Sequence, residues 1–291
     1  MGIYYILYNP YAGSGKKEGI VERLSKIITD KPLKFCNLLE IKNYKEFFSA
    51  FNDDDDLILC GGDGTLNRFL NEIKDIKFKN KFYFYPCGSG NDLLNDLTVD
   101  RTKPFLVEDY LKNLPEVTIR NKTYTFFNGT GFGLDGYVCY EGNRIRQQKG
   151  KINYIAIALR GFLYAFKPGK VNIVADGKEY SFNKVWLCPV MKGKFFGGGM
   201  MIAPMQDRYS EDKSLTIVVA HDLSKLKIAV LFLSIFKGNH VKYKKNVTII
   251  KCNEATVKYE RPCIMQIDGE AMIDVQEFSV TSKVKKKALK K

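Results

Sequence analysis

The sequence predicts a two-domain chain of the α/β plus β-rich class. Strand and helix signals alternate through the first hundred residues, as in a doubly wound, mainly parallel sheet with helices on both faces. From about residue 117 short strand-like runs follow one another between turns, as in an antiparallel β-sandwich or barrel, here with inserted helices. We therefore expect an α/β domain over 1–118, a β-rich domain over 119–276 and a basic C-terminal segment over 277–291.

Four strand–helix units are predicted in the first domain. In each, a short apolar run leads into a stretch whose apolar residues recur at helical spacing. The predicted strands are 3–8, 33–41, 56–60 and 82–85, and the helical stretches are 20–28, 44–51, 66–73 and the segment after residue 92. Glycine-rich turns follow three of these strands, at 9–15, 61–64 and 88–90. Because ligands bind beyond the carboxyl ends of the strands in such sheets, the three turns are expected to converge.

The second domain is predicted to contain many short strands and two helices. The strands are 117–119, 123–127, 171–175, 184–189, 215–220, 247–252 and 255–259. The helices are 152–166 and 223–236, and the second of them is apolar nearly all round. A helix that is apolar on all sides is usually buried, so both are expected to pack in the core rather than face lipid.

The charge balance indicates a partner that carries phosphate. The 291 residues include 46 Lys or Arg and 32 Asp or Glu, which gives a net charge of +14. Such a surplus attracts nucleic acid, an anionic membrane surface or a phosphorylated substrate, and charge alone does not choose among them. No apolar run approaches the ~18 residues of a membrane span, and the sequence has no recognition motif for RNA or DNA.

The cysteine and histidine inventory excludes several kinds of site. The seven cysteines are widely spaced and include no Cys-x-x-Cys pair, so neither a zinc ribbon nor a small disulfide framework fits. A reduced, cytosolic setting is therefore expected. His221 and His240 are the only histidines, which argues against His-based triads and multi-His metal sites.

The turn Gly61-Gly62-Asp63-Gly64-Thr65 is the sharpest local signal. Three glycines bare the backbone on both sides of one carboxylate, so a phosphate can approach closely, and Thr65 can cap the following helix. Asp63 would repel a bare phosphate. Its presence therefore indicates either a bound metal ion or the acceptance of a proton from an attacking hydroxyl. Asn67, a half-turn further on, can donate an amide to a nucleotide.

Three further segments carry candidate site residues. The turn that starts at Asn9-Pro10 lacks the spacing of a P-loop, and it fits either an anion-binding backbone or an ordinary strand-to-helix turn. Gly88-Ser89-Gly90-Asn91-Asp92 offers small residues, a hydroxyl, an amide and an acid near a helix start. Asp268-Gly269-Glu270 fits either an acidic pair that strand alternation sends to one face or the turn of a β-hairpin.

The four motifs that begin at Asn9, Gly61, Gly88 and Asp268, taken in chain order, resemble the diacylglycerol kinase catalytic-domain family. This family includes sphingosine kinases and soluble bacterial lipid kinases. The resemblance covers nearly the whole chain, and its further segments are 128–135, Gly150 with Tyr154, Asp176-Gly177, 196–200 and Ala203-Pro204. It implies a two-domain enzyme that uses ATP and magnesium to phosphorylate a lipid hydroxyl, with the nucleotide between the domains. It also implies that the last segment, 277–291, returns to the first domain.

The resemblance assigns roles residue by residue. The catalytic carboxylates are Asp63, Asp268 and Glu270. The nucleotide side comprises Asn9, Gly13, Gly61, Gly62, Gly64, Thr65, Asn67, Gly88, Ser89 and Asn91. Asp135 is expected at the catalytic magnesium. Tyr209, Asp212 and Ser214 are expected at a second, structural magnesium, where Lys213 replaces the glycine of the family's motif.

The expected function is ATP- and magnesium-dependent transfer of the γ-phosphoryl group to a lipid hydroxyl, with diacylglycerol or a related lipid as acceptor. Either Glu270 or Asp63 takes the hydroxyl proton, and the sequence leaves both open. The expected partners are ATP, the lipid and an anionic membrane surface, which a cytoplasmic protein would bind peripherally and reversibly. No nucleic acid is expected, and the oligomeric state is left open. Two alternatives are a kinase for a soluble hydroxyl compound and a non-catalytic basic protein that binds anionic membranes.

Overall fold

A computed structural model describes residues 2–10, 17–88, 91–147, 153–212 and 214–282 of the chain. The chain divides into two compact units, Met1–Lys112 and Asn113–Lys291. The boundaries 118/119 and 276/277 that the sequence suggests stay predictions.

The first unit is an α/β sheet domain. Its elements are β1 (Tyr4–Tyr8), α1 (Lys17–Ile27), β2 (Leu33–Asn37), a 3-10 turn (Leu38–Glu40), α2 (Tyr44–Ser49), β3 (Asp56–Gly61), α3 (Asp63–Ile73), β4 (Phe82–Pro86), α4 (Asp92–Asp96), β5 (Phe105–Leu106) and α5 (Glu108–Leu111). The sheet order is β2-β1-β3-β4-β5, in which β1 to β4 run parallel and β5 pairs antiparallel with β4. All residues of β3 are buried, as expected of a central strand covered on both faces.

The predicted strand over 33–41 is too long. β2 ends at Asn37, whose side-chain oxygen accepts a hydrogen bond from the backbone N–H of Leu39 at 3.1 Å. Asparagine offers this local bond as an alternative to the sheet ladder, so the chain turns into a short 3-10 helix instead.

The second unit is a large antiparallel sheet with inserted helices. Its elements are β6 (Glu116–Ile119), β7 (Lys122–Thr125), β8 (Gly129–Gly133), α6 (Leu134–Gln147), α7 (Tyr154–Arg160) with a π-helical turn (Gly161–Ala165), β9 (Gly169–Ala175), β10 (Lys178–Val185), β11 (Leu187–Met191), β12 (Phe195–Phe196), β13 (Met200–Met201), β14 (Leu215–Ala220), α8 (Lys225–Ile235), a 3-10 turn (Asn239–Lys242), β15 (Val247–Cys252), β16 (Glu254–Ile267) and β17 (Glu270–Thr281). The described residues thus confirm the predicted fold class.

The strand β16 organises this sheet. The sheet order is β15-β14-β11-β8-β16-β17-β6-β7, with β9 also on β16 and β10 on β9. The first half of β16 pairs with β9 and its end pairs with β8, while β17 occupies its other edge. Shifts of register fall between Lys258 and Met265, so the strand changes partners where its pairing is interrupted.

Two predictions for this unit need correction. The single strand over 184–189 is two strands, since β10 ends at Val185 and β11 begins at Leu187. The register shifts between Phe182 and Val185, and Lys184 has a φ of 46°. Neither of the two predicted core helices is buried on all sides. Leu159, Leu163 and Tyr164 of α7 and its π-helical turn are exposed, and α8 is buried on one side. Its residues Ile228, Leu231, Phe232 and Ile235 are buried, whereas Leu226, Val230 and Leu233 face solvent.

The C-terminal segment begins inside the last strand. β17 pairs with β6 through Ser279 with Thr118, Val280 with Val117 and Thr281 with Glu116. Residues 283–291 lie outside the described part of the chain, and the return of this segment to the first domain stays a prediction. Among the described residues, no helix combines the length and hydropathy that crossing a membrane requires.

Candidate active site

In the first unit, the candidate site is built around Asp63. β3 ends at Gly61, Gly62 is the N-cap in extended backbone, and α3 begins at Asp63. The Asp63 carboxylate is buried, and its Oδ2 accepts a hydrogen bond of 2.6 Å from the backbone N–H of Asp92. A carboxylate in the first turn of a helix is favoured by the helix dipole. The start of α3 and the start of α4 are thereby joined.

The two glycine turns of the first unit are packed together. The backbone N–H of Cys87 donates to the carbonyl of Gly61 at 2.8 Å, and the side-chain amide of Asn91 donates to the carbonyl of Gly88 at 3.1 Å. A Cβ on Gly88 would lie 2.6 Å from the Cα of Gly62. Only glycine at position 88 therefore allows the two turns to approach this closely.

The remaining nucleotide-side predictions have different outcomes. Thr65 lies in the first turn of α3 and is not its cap, because Gly62 holds the cap position without a side-chain bond. Thr65 instead packs against Gly61, where a Cβ would lie 2.5 Å from the Thr65 Cβ. Gly64 is in the same turn of α3, and Asn67 is buried one turn further on, where its Oδ1 accepts from the amide of Asn71 at 3.2 Å. Asn9 follows β1 directly. Gly13 and Ser89 lie outside the described residues.

In the second unit, Asp268 and Gly269 form the turn of the β16–β17 hairpin. Their φ values are 45° and 90°, and Ile267 pairs with Glu270 on either side of them. Positive φ at both central residues is the signature of a type I′ turn, for which Asp-Gly is a preferred pair. The hairpin alternative is therefore the one observed. The other alternative, in which strand alternation sends Asp268 and Glu270 to one face, is not observed, because Asp268 is in the turn.

The Asp268 carboxylate binds the backbone of another segment. It accepts hydrogen bonds of 2.8 Å from the N–H groups of Phe127, Asn128 and Gly129. Arg208 binds the hydrogen-bond acceptors of the same segment. Its guanidinium donates to the carbonyl oxygen of Phe127 at 2.5 Å and to Oδ1 of Asn128 at 2.9 Å. Both charged side chains are buried. They fix the turn that leads into β8.

Asp135 lies at the start of α6, next to this network. Its Oδ2 accepts a bond of 3.3 Å from the amide of Gln266, whose own Oε1 accepts from the N–H of Gly269 at 2.9 Å. We call Asn128, Asp135, Gln266 and Asp268 the hairpin cluster. Burial raises the pKa of the Asp135 carboxyl to about 7. Its Oδ1 is buried and has no hydrogen-bond partner among the described residues, so this oxygen fits a cation ligand.

The predicted structural magnesium site has a less suitable set of donors. Oδ1 of Asp212 accepts from the backbone N–H of Ser214 at 3.0 Å, a bond that lowers the pKa of the Asp212 carboxyl. The carbonyl of Ser214 already accepts from the buried amide of Gln206 at 2.9 Å, and Tyr209 is exposed. Lys213 lies outside the described residues. Within the described part of the chain, no three or more His, Cys, Asp or Glu side chains cluster as a metal site.

The structure therefore gathers the predicted residues into two groups, one in each unit. The first contains Gly61, Gly62, Asp63, Gly88 and Asn91, and the second is the hairpin cluster with Glu270 beside its turn. The sequence offered Asp92 only as an acid near a helix start, and it singled out neither Arg208 nor Gln266. Asp92 ends a glycine motif and Gln266 lies two residues before Asp268-Gly269-Glu270, so nearness to a motif was the signal for both, whereas nothing around Arg208 marks it.

Both halves of the chain match known family models. Residues 4–118 match the diacylglycerol kinase catalytic domain, and residues 129–290 match the YegS C-terminal NAD kinase beta sandwich-like domain. The fold and the matches thus define a two-part kinase with an α/β half and a β-sandwich-like half. The model of the YegS C-terminal domain covers more than half of the chain, so the chain belongs to that family, and it joins this domain to a diacylglycerol kinase catalytic domain. It is a lipid kinase.

Individual relatives agree with this assignment. A diacylglycerol kinase of Mycobacterium tuberculosis (strain ATCC 25618 / H37Rv) is 28% identical over 225 residues, which cover 74% of this chain and 70% of the relative. A diacylglycerol kinase of Bacillus subtilis (strain 168) is 24% identical over 228 residues, with coverages of 76% and 73%. The crystal structure of a diacylglycerol kinase from Bacillus anthracis str. Sterne has the same fold, with a TM-score of 0.60 at 17% identity, and covers 96% of this chain and 93% of that one.

Proposed function

We propose that this lipid kinase transfers the γ-phosphoryl group of ATP, with magnesium, to the hydroxyl of diacylglycerol or a closely related lipid. The observation that carries the proposal is the buried Asp63 carboxylate between two packed glycine turns. Small residues on both turns let backbone N–H groups approach a phosphate, and the start of α3 adds positive potential for it. The names of the relatives support diacylglycerol as the acceptor.

Two carboxylates are suited to different tasks in this proposal. Asp135 would hold the metal ion through its buried Oδ1, which supplies the negative charge that a hard cation requires. When bound, magnesium neutralises charge on the transferring phosphates. Asp63 or Glu270 would accept the proton of the lipid hydroxyl. Asp268 is occupied with three backbone N–H groups, so in this proposal it positions the hairpin and transfers no proton.

The test is transfer of labelled phosphate from ATP to a panel of diacylglycerol, sphingoid base and polyprenol in mixed micelles. Wild type is expected to label diacylglycerol. Asp63→Asn keeps an oxygen that can accept from Asp92 but removes the charge, so the rate should fall by about 10²–10⁴. Asp75→Asn is the matched control, since Asp75 is an exposed acid just beyond the same helix, and it should retain full activity.

Three outcomes would contradict the proposal. The first is an absence of labelling across the panel, and the second is full activity in Asp63→Asn. The third is a phosphorylation rate on a water-soluble hydroxyl compound that is higher than the rate on every lipid and does not change when liposomes are added. That result would favour the soluble-substrate alternative.

We further propose that the protein works from the cytoplasm at an anionic membrane surface, which it binds peripherally and reversibly. The excess of positive charge supports this partner.

A further inference from the structure

Two helical segments of the second unit carry six large apolar side chains that are more than 40% exposed. Leu159, Leu163 and Tyr164 belong to α7 and its π-helical turn, and Leu226, Val230 and Leu233 belong to α8. Their exposed fractions range from 43% to 81%. We call these six residues the leucine face. Single exposed apolar residues are ordinary, whereas a group of this size on adjacent helices is typical of a binding surface.

The two helical segments pack side by side, so their outer residues share one surface. Phe162 and Phe232 meet edge to face with ring centroids 4.9 Å apart, and the ammonium of Lys225 donates to the carbonyl of Leu163 at 2.5 Å. Both segments cover the same buried cluster, to which α7 contributes Ala158 and α8 contributes Ile228. With their inner sides on one core, their outer sides point away from it together.

The positive charge of the chain is concentrated in the same unit. Residues 1–112 contain 16 Lys or Arg and 17 Asp or Glu, whereas residues 113–291 contain 30 and 15. Segments 142–175 and 223–253, which include the leucine face, each have seven Lys or Arg and no Asp or Glu. Among the described residues, the exposed Arg160, Lys167, Lys227 and Lys237 flank the six apolar side chains.

The exposed apolar side chains and the positive charge around them together favour one class of binding partner. A protein partner would match the apolar residues, but the long stretches without a single acidic residue complement a surface of uniform negative charge. The α8 segment has 11 residues and one buried side, so it is too short to span a bilayer and is suited to lying in its interface. An anionic phospholipid surface satisfies both the apolar and the basic groups.

We infer that the leucine face is the surface by which this protein docks on anionic bilayers. The six apolar side chains enter the boundary between headgroups and acyl chains, and the flanking basic residues contact lipid phosphates. The inference deepens the proposed function, because a kinase whose acceptor is a membrane lipid has to reach that lipid in the bilayer. Docking itself requires neither ATP nor catalysis, so it can be measured separately.

The experiment is flotation of the full chain with vesicles of phosphatidylcholine, with and without phosphatidylglycerol, in the absence of nucleotide. Wild type is expected to bind the anionic vesicles. Leu226→Gln/Leu233→Gln should lower the partition coefficient by at least about tenfold. Val174→Gln/Met205→Gln changes two exposed apolar residues elsewhere in the same unit and should stay within about twofold of wild type.

A second variant separates charge from apolar insertion. Lys227→Gln/Lys237→Gln should weaken binding to anionic vesicles by about tenfold at low salt, with a smaller effect at high salt. All three variants should phosphorylate a short-chain, water-dispersed diacylglycerol at the wild-type rate. If wild type also fails to phosphorylate this short-chain diacylglycerol, the proposed function is contradicted. The vesicle-binding result would still test the docking surface, because it does not depend on activity.

Three results would overturn the inference. One is wild type that does not float with anionic vesicles, and another is a Val174→Gln/Met205→Gln variant as impaired as the leucine variant. The third is a sedimentation-velocity dimer in solution that Leu226→Gln/Leu233→Gln dissociates, because a second copy of the chain would then cover the face.

Discussion

At Asp268, one carboxylate serves three backbone N–H groups of a segment far away in the sequence. A carboxylate that accepts all three of these hydrogen bonds has a structural role in holding the two segments together. Each of the three donors is buried with it, and a buried donor without an acceptor costs about 1–3 kcal/mol.

Asp268→Asn therefore separates a structural role from a catalytic one. The amide keeps one acceptor oxygen and turns an NH₂ toward a backbone donor, so the free energy of unfolding should fall by about 2–4 kcal/mol. Urea denaturation measures this change. Asp274→Asn, at an exposed acid of β17, the strand that follows this turn, should cost at most about 1 kcal/mol. An inactive Asp268→Asn with wild-type stability would instead make Asp268 part of the chemistry.

Asp135 should make stability depend on pH. An unfolded carboxyl titrates near about pH 4, whereas burial raises the folded pKa to about 7. Between these values the folded state holds a proton that the unfolded chain has released, so the free energy of unfolding falls as the pH rises from about 4 to 7 and then levels off. Without divalent cations, wild type should lose up to about 3 kcal/mol more than Asp135→Asn between pH 5 and pH 8. Parallel pH profiles for the two proteins would contradict this.

Magnesium should reverse that loss. A cation at Oδ1 favours the charged carboxylate, so added magnesium should raise the melting temperature of wild type at pH 8 and much less at pH 5. Differential scanning fluorimetry gives this readout without activity. Asp135→Asn should show no magnesium effect at either pH, and an equal shift in both proteins would contradict the proposal that Asp135 holds magnesium.

Some of these residues could be identified from the sequence, and some could not. The glycines around Asp63 bare the backbone in a pattern that has few purely structural explanations, so the motif alone picked out that carboxylate. Arg208 and Gln266 act through a buried network whose partners come from three separate segments. The spacing of residues within one segment does not indicate hydrogen-bond partners that lie in other segments.

At the level of elements, the contact between the two glycine turns is the feature most open to test. Gly88→Ala places a Cβ against the backbone of Gly62, and backbone cannot rotate away. The variant should lose about 1–3 kcal/mol of stability and bind ATP more weakly, as measured by urea denaturation and isothermal titration.

Gly19→Ala is the matched control. Gly19 lies inside α1, and a Cβ there would meet nothing within 4 Å. Alanine should therefore stabilise the protein by about 0.5–1 kcal/mol and leave ATP binding unchanged. A Gly88→Ala variant as stable as this control would show that the turns can separate freely.

The elements that follow local rules were predictable. β1, β3 and β4 are buried apolar runs between turn residues, and each begins and ends close to its predicted bounds. The sequence did not predict the helix α6, because two glycines interrupt its pattern. One of them, Gly136, lies against the backbone of Ile264, where a larger residue would not fit. The full length of β16 was hidden as well, since Arg261-Pro262 interrupts its pattern where it changes partners.

For the whole molecule, the two units should behave as separate folding units. Each has its own buried cluster, around Ile6, Leu24 and Ile58 in the first and around Phe132, Tyr259 and Phe278 in the second. Residues 113–291 expressed alone should therefore melt in one cooperative transition by circular dichroism. A fragment that shows no transition would mean that the second unit depends on the first.

The late position of β16 in the chain has a consequence for synthesis. β8 and β9 leave the ribosome long before their shared partner β16, which begins at Glu254. In the same way, β6 leaves long before its partner β17. Their backbone edges remain open in the nascent chain, which is when unpaired strands aggregate most readily. The centre of this sheet is thus completed only after β17 has been translated through Thr281, and a message truncated before that point would yield a chain that chaperones must hold.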